Sequence, residues 1–138
     1  MSPCSTELMK LLFGFTMTKI EYFESESFQK DFKKLVKKFP GLREDFAIVK
    51  KAAIELFHLH QIDNHSIFLL QGYETSGFRF YKLKKFACRA LKGRGSQSGL
   101  RVIYAYDLSR QYLEFLEIYF KSEQKHETKE RIERCVKR

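Results

Sequence analysis

The stretch Leu100-Arg101-Val102-Ile103-Tyr104-Ala105-Tyr106-Asp107 decides how the rest of the chain is read. It is dominated by β-branched and aromatic side chains, which fit a pleated, half-buried surface, so it predicts a strand. Downstream, Asp107 to Arg110 predicts a turn, and residues 112–121 (Tyr-Leu-Glu-Phe-Leu-Glu-Ile-Tyr-Phe-Lys) read as the next strand. Upstream, Leu91-Lys-Gly-Arg-Gly-Ser-Gln-Ser-Gly99 reads as a flexible hairpin connection. The strand before it, residues 78–88, mixes aromatic and basic residues. Three strands in succession predict an antiparallel meander.

Further out, residues 18–23 (Thr-Lys-Ile-Glu-Tyr-Phe) alternate as a first strand. Ser25 or Ser27 then offers an N-cap, and Phe28, Phe32, Leu35, Val36 and Phe39 recur at the spacing of one helical face. Lys30, Lys33, Lys34, Lys37 and Lys38 fill the other positions and read as a solvated face, with docking to ribosomal RNA as the alternative. Pro40-Gly41 ends this helix. A second helix over 42–60 carries Phe46, Val49, Ala53, Leu56 and Phe57 on its apolar side, completing a helical hairpin. Residues 61–77 are turn-rich around the short apolar run 67–70 and predict a long connection with one short strand. The charged tail from Glu123, with sparse Ile132 and Val136, predicts a marginal or partner-stabilised helix. The order β-α-α-β-β-β-α is an α+β architecture, a helical hairpin and first strand packed on an antiparallel sheet. Residues 1–16 precede a second methionine, Met17, and are expected to be a poorly ordered extension to a single domain over 17–138.

Composition narrows the class. The 138 residues include 43% hydrophobic side chains, with 14 Phe and 7 Tyr, enough for one packed core. No apolar run approaches the roughly 20 residues that a bilayer span needs, so no membrane association is expected. Cys4, Cys88 and Cys135 form no CxxC pair and no disulfide framework, which points to a reducing, cytoplasmic compartment. A formal net charge of +9 favours a polyanionic partner, either nucleic acid or an acidic protein.

That charge is unevenly placed. Residues 79–101 hold eight basic groups (Arg79, Lys82, Lys84, Lys85, Arg89, Lys92, Arg94 and Arg101) and no Asp or Glu. Whole-chain composition would give about four basic and about three acidic residues there. Crowded like charges on neighbouring strands need a compensator, and a phosphate backbone supplies one, with Phe80, Tyr81 and Phe86 as surfaces for base stacking. The alternative is a basic face that serves solubility alone.

Three segments carry a resemblance. Tyr81-Lys-Leu-Lys84, then Gly99-Leu-Arg-Val-Ile-Tyr104, then Glu117-Ile-Tyr-Phe-Lys121 resemble the strands of the RelE/ParE toxin superfamily, over residues 18–135. The Gly-x-Arg-x-x-Tyr strand is the most specific element. Seventeen positions separate Lys84 from Arg101, more than in short members of the superfamily. Lys85 or Arg89 therefore competes with Lys82 and Lys84 for equivalence.

The resemblance implies an mRNA endoribonuclease acting on the ribosome, without a metal or other cofactor, by attack of a ribose 2′-OH on the adjacent phosphate. Such a reaction needs a base, cations for the charge on phosphorus, and an acid for the leaving oxygen. The cleft strands contain no His, so Lys82 or Lys84 is the candidate base, neighbouring positive charge favouring its neutral amine. Arg101 suits bidentate clamping of the phosphate. Tyr119 is a candidate to stack or orient a base, and Lys121 to protonate or stabilise the leaving oxygen. Lys85, Arg89, Lys92 and Arg94 are candidate RNA-binding groups. Glu117 is either an alternative base or an ion-pair partner for Arg101. A two-residue period puts Glu117, Tyr119 and Lys121 on one face of the last strand, and Leu116, Ile118 and Phe120 on the other. A toxin of this kind implies a cognate antitoxin whose acidic segment covers the basic surface in a hetero-oligomer. Competing readings are a ParE-like gyrase-binding toxin and a catalytically inactive basic module. His58 and His60 stand two apart on a helix and make poor joint metal ligands, Cys88 reads as a packing residue, and Gly93 and Gly95 serve loop flexibility.

Overall fold

A computed structural model describes residues 19–63, 65–73, 77–84, 99–107 and 109–137. The sequence readings of residues 1–18, of Phe86 and Cys88, and of the connection carrying Lys85, Arg89, Lys92 and Arg94 lie outside these described residues.

Strand β1 (Glu21–Glu24) leads into helix α1 (Glu26–Lys38), and the Ser25 hydroxyl oxygen accepts the Phe28 N–H at 3.2 Å. Ser25 is thus the N-cap, satisfying one of the orphan donors at the helix start. Phe28, Phe32 and Leu35 form its buried face, while Lys30, Lys33, Lys34, Lys37 and Lys38 are exposed. Phe39-Pro40-Gly41 turns the chain into α2 (Leu42–Val49), which continues through a π-helical turn (Lys50–Glu55) into α3 (Leu56–His60). The expected second helix is present, with a change of phase. Phe46, Val49 and Ala53 are buried as expected, but Ile54 within the π turn and His58 beyond it point inward, and Leu56 and Phe57 are only half-buried. A π turn takes up an extra residue, so the buried stripe moves along the sequence.

The long connection contains the short strand β2 (Ile67–Leu69). Then come β3 (Phe78–Leu83), β4 (Leu100–Asp107) and β5 (Tyr112–Phe120), and helix α4 (Lys129–Val136) closes the order. The sheet runs β1-β5-β4-β3-β2. Strands β2 to β5 pair antiparallel, the meander read from the sequence, and β1 adds to β5 in parallel. The α+β class stands, with a mixed rather than purely antiparallel sheet.

Both faces of the sheet are covered, which is why β4 and β5 lack clean alternation. On one side the helical hairpin packs Phe28 and Phe46 against Phe115, with ring centroids 5.2 and 5.0 Å apart. On the other, Ile132 and Cys135 of α4 cover Phe80, Ile103, Ala105, Leu116 and Tyr119. Burial of two such modest side chains contributes only a few kcal/mol, at about 25 cal/mol per Å² of apolar surface. A bulge in β5 departs from the two-residue period expected there. Ile103 lies opposite Glu117 but Tyr104 opposite Phe115, so Leu116 is the extra residue and joins Glu117 and Tyr119 on the α4 side.

Candidate functional site

Gly99 opens the site. Its φ of +84° is a left-handed conformation that favours glycine, and a Cβ there would meet the Phe120 ring at 3.9 Å. Its carbonyl accepts the Lys121 N–H at 2.8 Å, so the start of β4 and the end of β5 are fastened together. Two residues along, Arg101 stands directly opposite Tyr119. On the same face, Ile103 has Lys82 of β3 on one side and Glu117 of β5 on the other. The structure thus brings Lys82, Arg101 and Tyr119 to the α4 side of three neighbouring strands.

The remaining residues singled out from the sequence divide. Lys84 follows β3, where its N–H donates to the Ser66 carbonyl at 2.8 Å and its ammonium lies 4.4 Å from the Phe68 ring centroid. Lys121 is exposed at the end of β5. Lys84, Gly99 and Lys121 therefore mark the end of the sheet at which the 85–98 connection begins and returns. Phe80 and Tyr81, expected to offer stacking surfaces, are instead packed in the two cores at 1% and 9% exposure. Tyr104, the last residue of the Gly-x-Arg-x-x-Tyr strand, faces the hairpin. There its hydroxyl pairs with His58 Nε2 at 2.8 Å, an internal contact rather than a substrate-facing one.

Sequence reading had the basic stretch waiting for an external anion, and here the chain supplies one. The Lys82 ammonium lies 2.6 Å from a carboxylate oxygen of Glu127, both side chains being mostly shielded from solvent. Burial pushes the Glu127 carboxyl up. The Lys82 ammonium and the backbone N–H of Glu127 itself outweigh that and hold it below its ordinary value. Glu117, 2% exposed, does not pair with Arg101 as one sequence reading had it. Its carboxylate accepts the Thr128 N–H, the Thr128 hydroxyl and the Gln124 side-chain amide, each at 2.8 Å. Arg101 Nη1 donates to the Leu100 carbonyl at 3.0 Å. Nothing in the periodicity of the tail marks Glu127, because its partner on β3 precedes it by two whole strands, β4 and β5, rather than lying at a helical or strand spacing.

Tyr119 is the chemical centre of the group. It is 5% exposed, and its hydroxyl is buried without a hydrogen-bond partner among the described residues. Burial pushes the phenol up to about 12, the Glu127 and Glu117 carboxylates add to the rise, and Arg101 opposes it. Tyr119 is thus a neutral O–H donor at physiological pH, seated between two carboxylates and a guanidinium. Beside it, an open cavity of about 250 Å³ separates β5 from α1, with Lys34, Asp31 and Gln124 among its lining. The arrangement can hold an anion between Lys82 and Arg101 and offer it a neutral donor. Among the described residues, no group of three His, Cys, Asp or Glu side chains gathers as a metal site, and no helix is long and apolar enough to cross a membrane.

No family model matches the chain, and no curated protein matches it. Among solved structures, an archaeal RelE–RelB complex from Pyrococcus horikoshii OT3 is similar at 12% identity and a TM-score of 0.47. That likeness covers 75% of this chain and 97% of the other. A likeness of that size bears no weight on chemistry, which rests on the residues themselves.

Proposed function

We propose that this chain is the toxin half of a toxin–antitoxin pair, a RelE-like endoribonuclease that cuts mRNA on the ribosome and so stops translation. The observation that carries the reading is the row on one sheet face: Arg101 opposite Tyr119, with Lys82 on the strand beyond. Arg101 clamps the scissile phosphate, its fork matching two phosphate oxygens. A neutral lysine amine, that of Lys84 or of Lys82 once it has left Glu127 and given up its proton, takes the proton from the 2′-OH. The 2′-oxygen then bonds to phosphorus while the bond from phosphorus to the 5′-oxygen breaks. Lys121, exposed at the end of β5, returns a proton to that leaving oxygen. The Tyr119 phenol, held neutral, donates to a phosphate oxygen or orients the base beside it. No step requires a metal or other cofactor. Lys85, Arg89, Lys92 and Arg94 extend the cationic path for the RNA, and a cognate antitoxin with an acidic segment covers this surface in the resting hetero-oligomer.

Purified protein added to translating ribosomes, followed by mapping of mRNA 5′ ends, tests the proposal. Wild type is expected to produce new ends within the translated message. Arg101→Ala is expected to lose about a hundredfold or more in rate, the usual loss on removing a positioned transition-state donor. Absence of cuts by wild type, or equal cutting by the variant, contradicts it. Inhibition of gyrase without cutting would instead favour the ParE-like reading.

A further inference from the structure

We propose that the bow of residues 125–127 is an autoinhibitory strap, in which the Glu127 carboxylate occupies the seat where an RNA phosphate would meet Lys82. The inference rests on the reading of this face as an RNA site and adds its regulation.

The geometry supports the assignment at three points. The Lys82–Glu127 contact of 2.6 Å involves side chains that are 17% and 15% exposed, so the carboxylate covers the ammonium rather than trailing past it. Tyr119, whose hydroxyl is buried without a partner among the described residues, lies on the same sheet face as Lys82. Glu127 is thus an anion placed among the groups proposed to bind one. The third point concerns how it can leave. Glu117 holds Gln124 and Thr128, the residues that flank the bow, through three hydrogen bonds of 2.8 Å. The Gln124 amide also donates to the His126 carbonyl at 2.7 Å. Both ends of the bow are therefore stapled to one buried carboxylate on β5. Outside the bow, Arg131 pairs with Asp31 and Lys38 with Glu123, tying the flanking segments to α1. Glu127 can swing off Lys82 by motion of three residues, while α4 and its Ile132–Cys135 contacts stay docked. An incoming phosphate backbone displaces it by offering the same charge together with contacts to Arg101.

Two readouts test this on the full chain, comparing wild type with Glu127→Gln. Glu123→Gln removes the same charge from the same segment at an exposed pair and serves as control. The first readout is acetylation of Lys82 by acetic anhydride, followed by mass spectrometry, which needs no RNA. Glu127→Gln is expected to raise Lys82 labelling several-fold, and Glu123→Gln to leave it unchanged. The second is binding of a fluorescent single-stranded oligouridine. Glu127→Gln is expected to tighten it by about fivefold to tenfold, the control by about twofold at most, since exposed charges are largely screened. Adding Lys82→Gln to Glu127→Gln should abolish the gain. Unchanged Lys82 labelling overturns the strap, whatever the RNA does. Raised labelling with equal RNA affinity in both proteins overturns the competition while leaving the RNA site standing. Raised labelling with no RNA binding by either protein overturns the RNA reading, and with it the proposed competition.

Discussion

Arg101 and Glu127 mark the limits of what single residues disclosed. Arg101 was legible because its neighbours specify it: a glycine required by the φ of +84° at residue 99 and a strand whose alternation sends the guanidinium to the α4 side. Glu127 was not legible, since a contact between the tail and β3 depends on closure of the whole fold and leaves no periodic trace. His58 lies between these cases. It was read as a poor metal ligand, and in the structure it is a core side chain stacked on Tyr106 at 4.0 Å and paired with Tyr104. Burial lowers it to about 4, from an ordinary value of 6.5. The unfolded chain therefore binds a proton below pH 6.5 that the folded chain refuses. Stability supplied by neutral His58 is complete above pH 6.5 and falls as pH drops, losing roughly 3 kcal/mol by pH 4. Denaturant titrations from pH 7 to 4 should show this loss, and His58→Gln should flatten it; a parallel decline in both proteins would contradict the assignment.

Elements were more legible than residues, and their irregularities less so. The hairpin helices and the meander announce themselves by spacing and propensity, and the tail helix forms although its sparse apolar positions predict only a marginal or partner-stabilised one. The π turn at Lys50–Glu55 does not, because Phe46, Val49, Ala53, Leu56 and Phe57 fit an uninterrupted α-helix equally well. Only packing against Tyr104 and Tyr106 selects His58 as the inward residue. The bulge at Leu116 did leave a trace: Glu114 and Glu117, three apart, lie on one face only because the two-residue period slips between them. Helix α1 offers a clean test at this scale. Ser25→Ala removes the side-chain acceptor for Phe28 and should cost about 1 kcal/mol in denaturant unfolding. RNA cleavage should be unaltered, because the Ser25–Phe28 contact is internal to the start of α1. A loss of activity beyond the loss of stability would place α1 in the working surface.

At the scale of the molecule, a net charge of +9 is resolved into two unlike regions. The lysines of α1 form an exposed face, whereas Lys82 of β3 and Arg101 of β4 stand on the face of the buried Tyr119 phenol and of Glu117 and Glu127. Composition revealed the excess charge and its acid-free stretch, but the pairing of Lys82 in that stretch with Glu127 of the tail needed the three-dimensional arrangement. On the proposed function, this group breaks RNA through the RNA's own 2′-OH, without hydrolytic water. End-group analysis of the mRNA fragments tests that claim most directly. Fragments carrying a 2′,3′-cyclic phosphate and a 5′-hydroxyl are the predicted result, and fragments ending in a 3′-hydroxyl and a 5′-phosphate would contradict it.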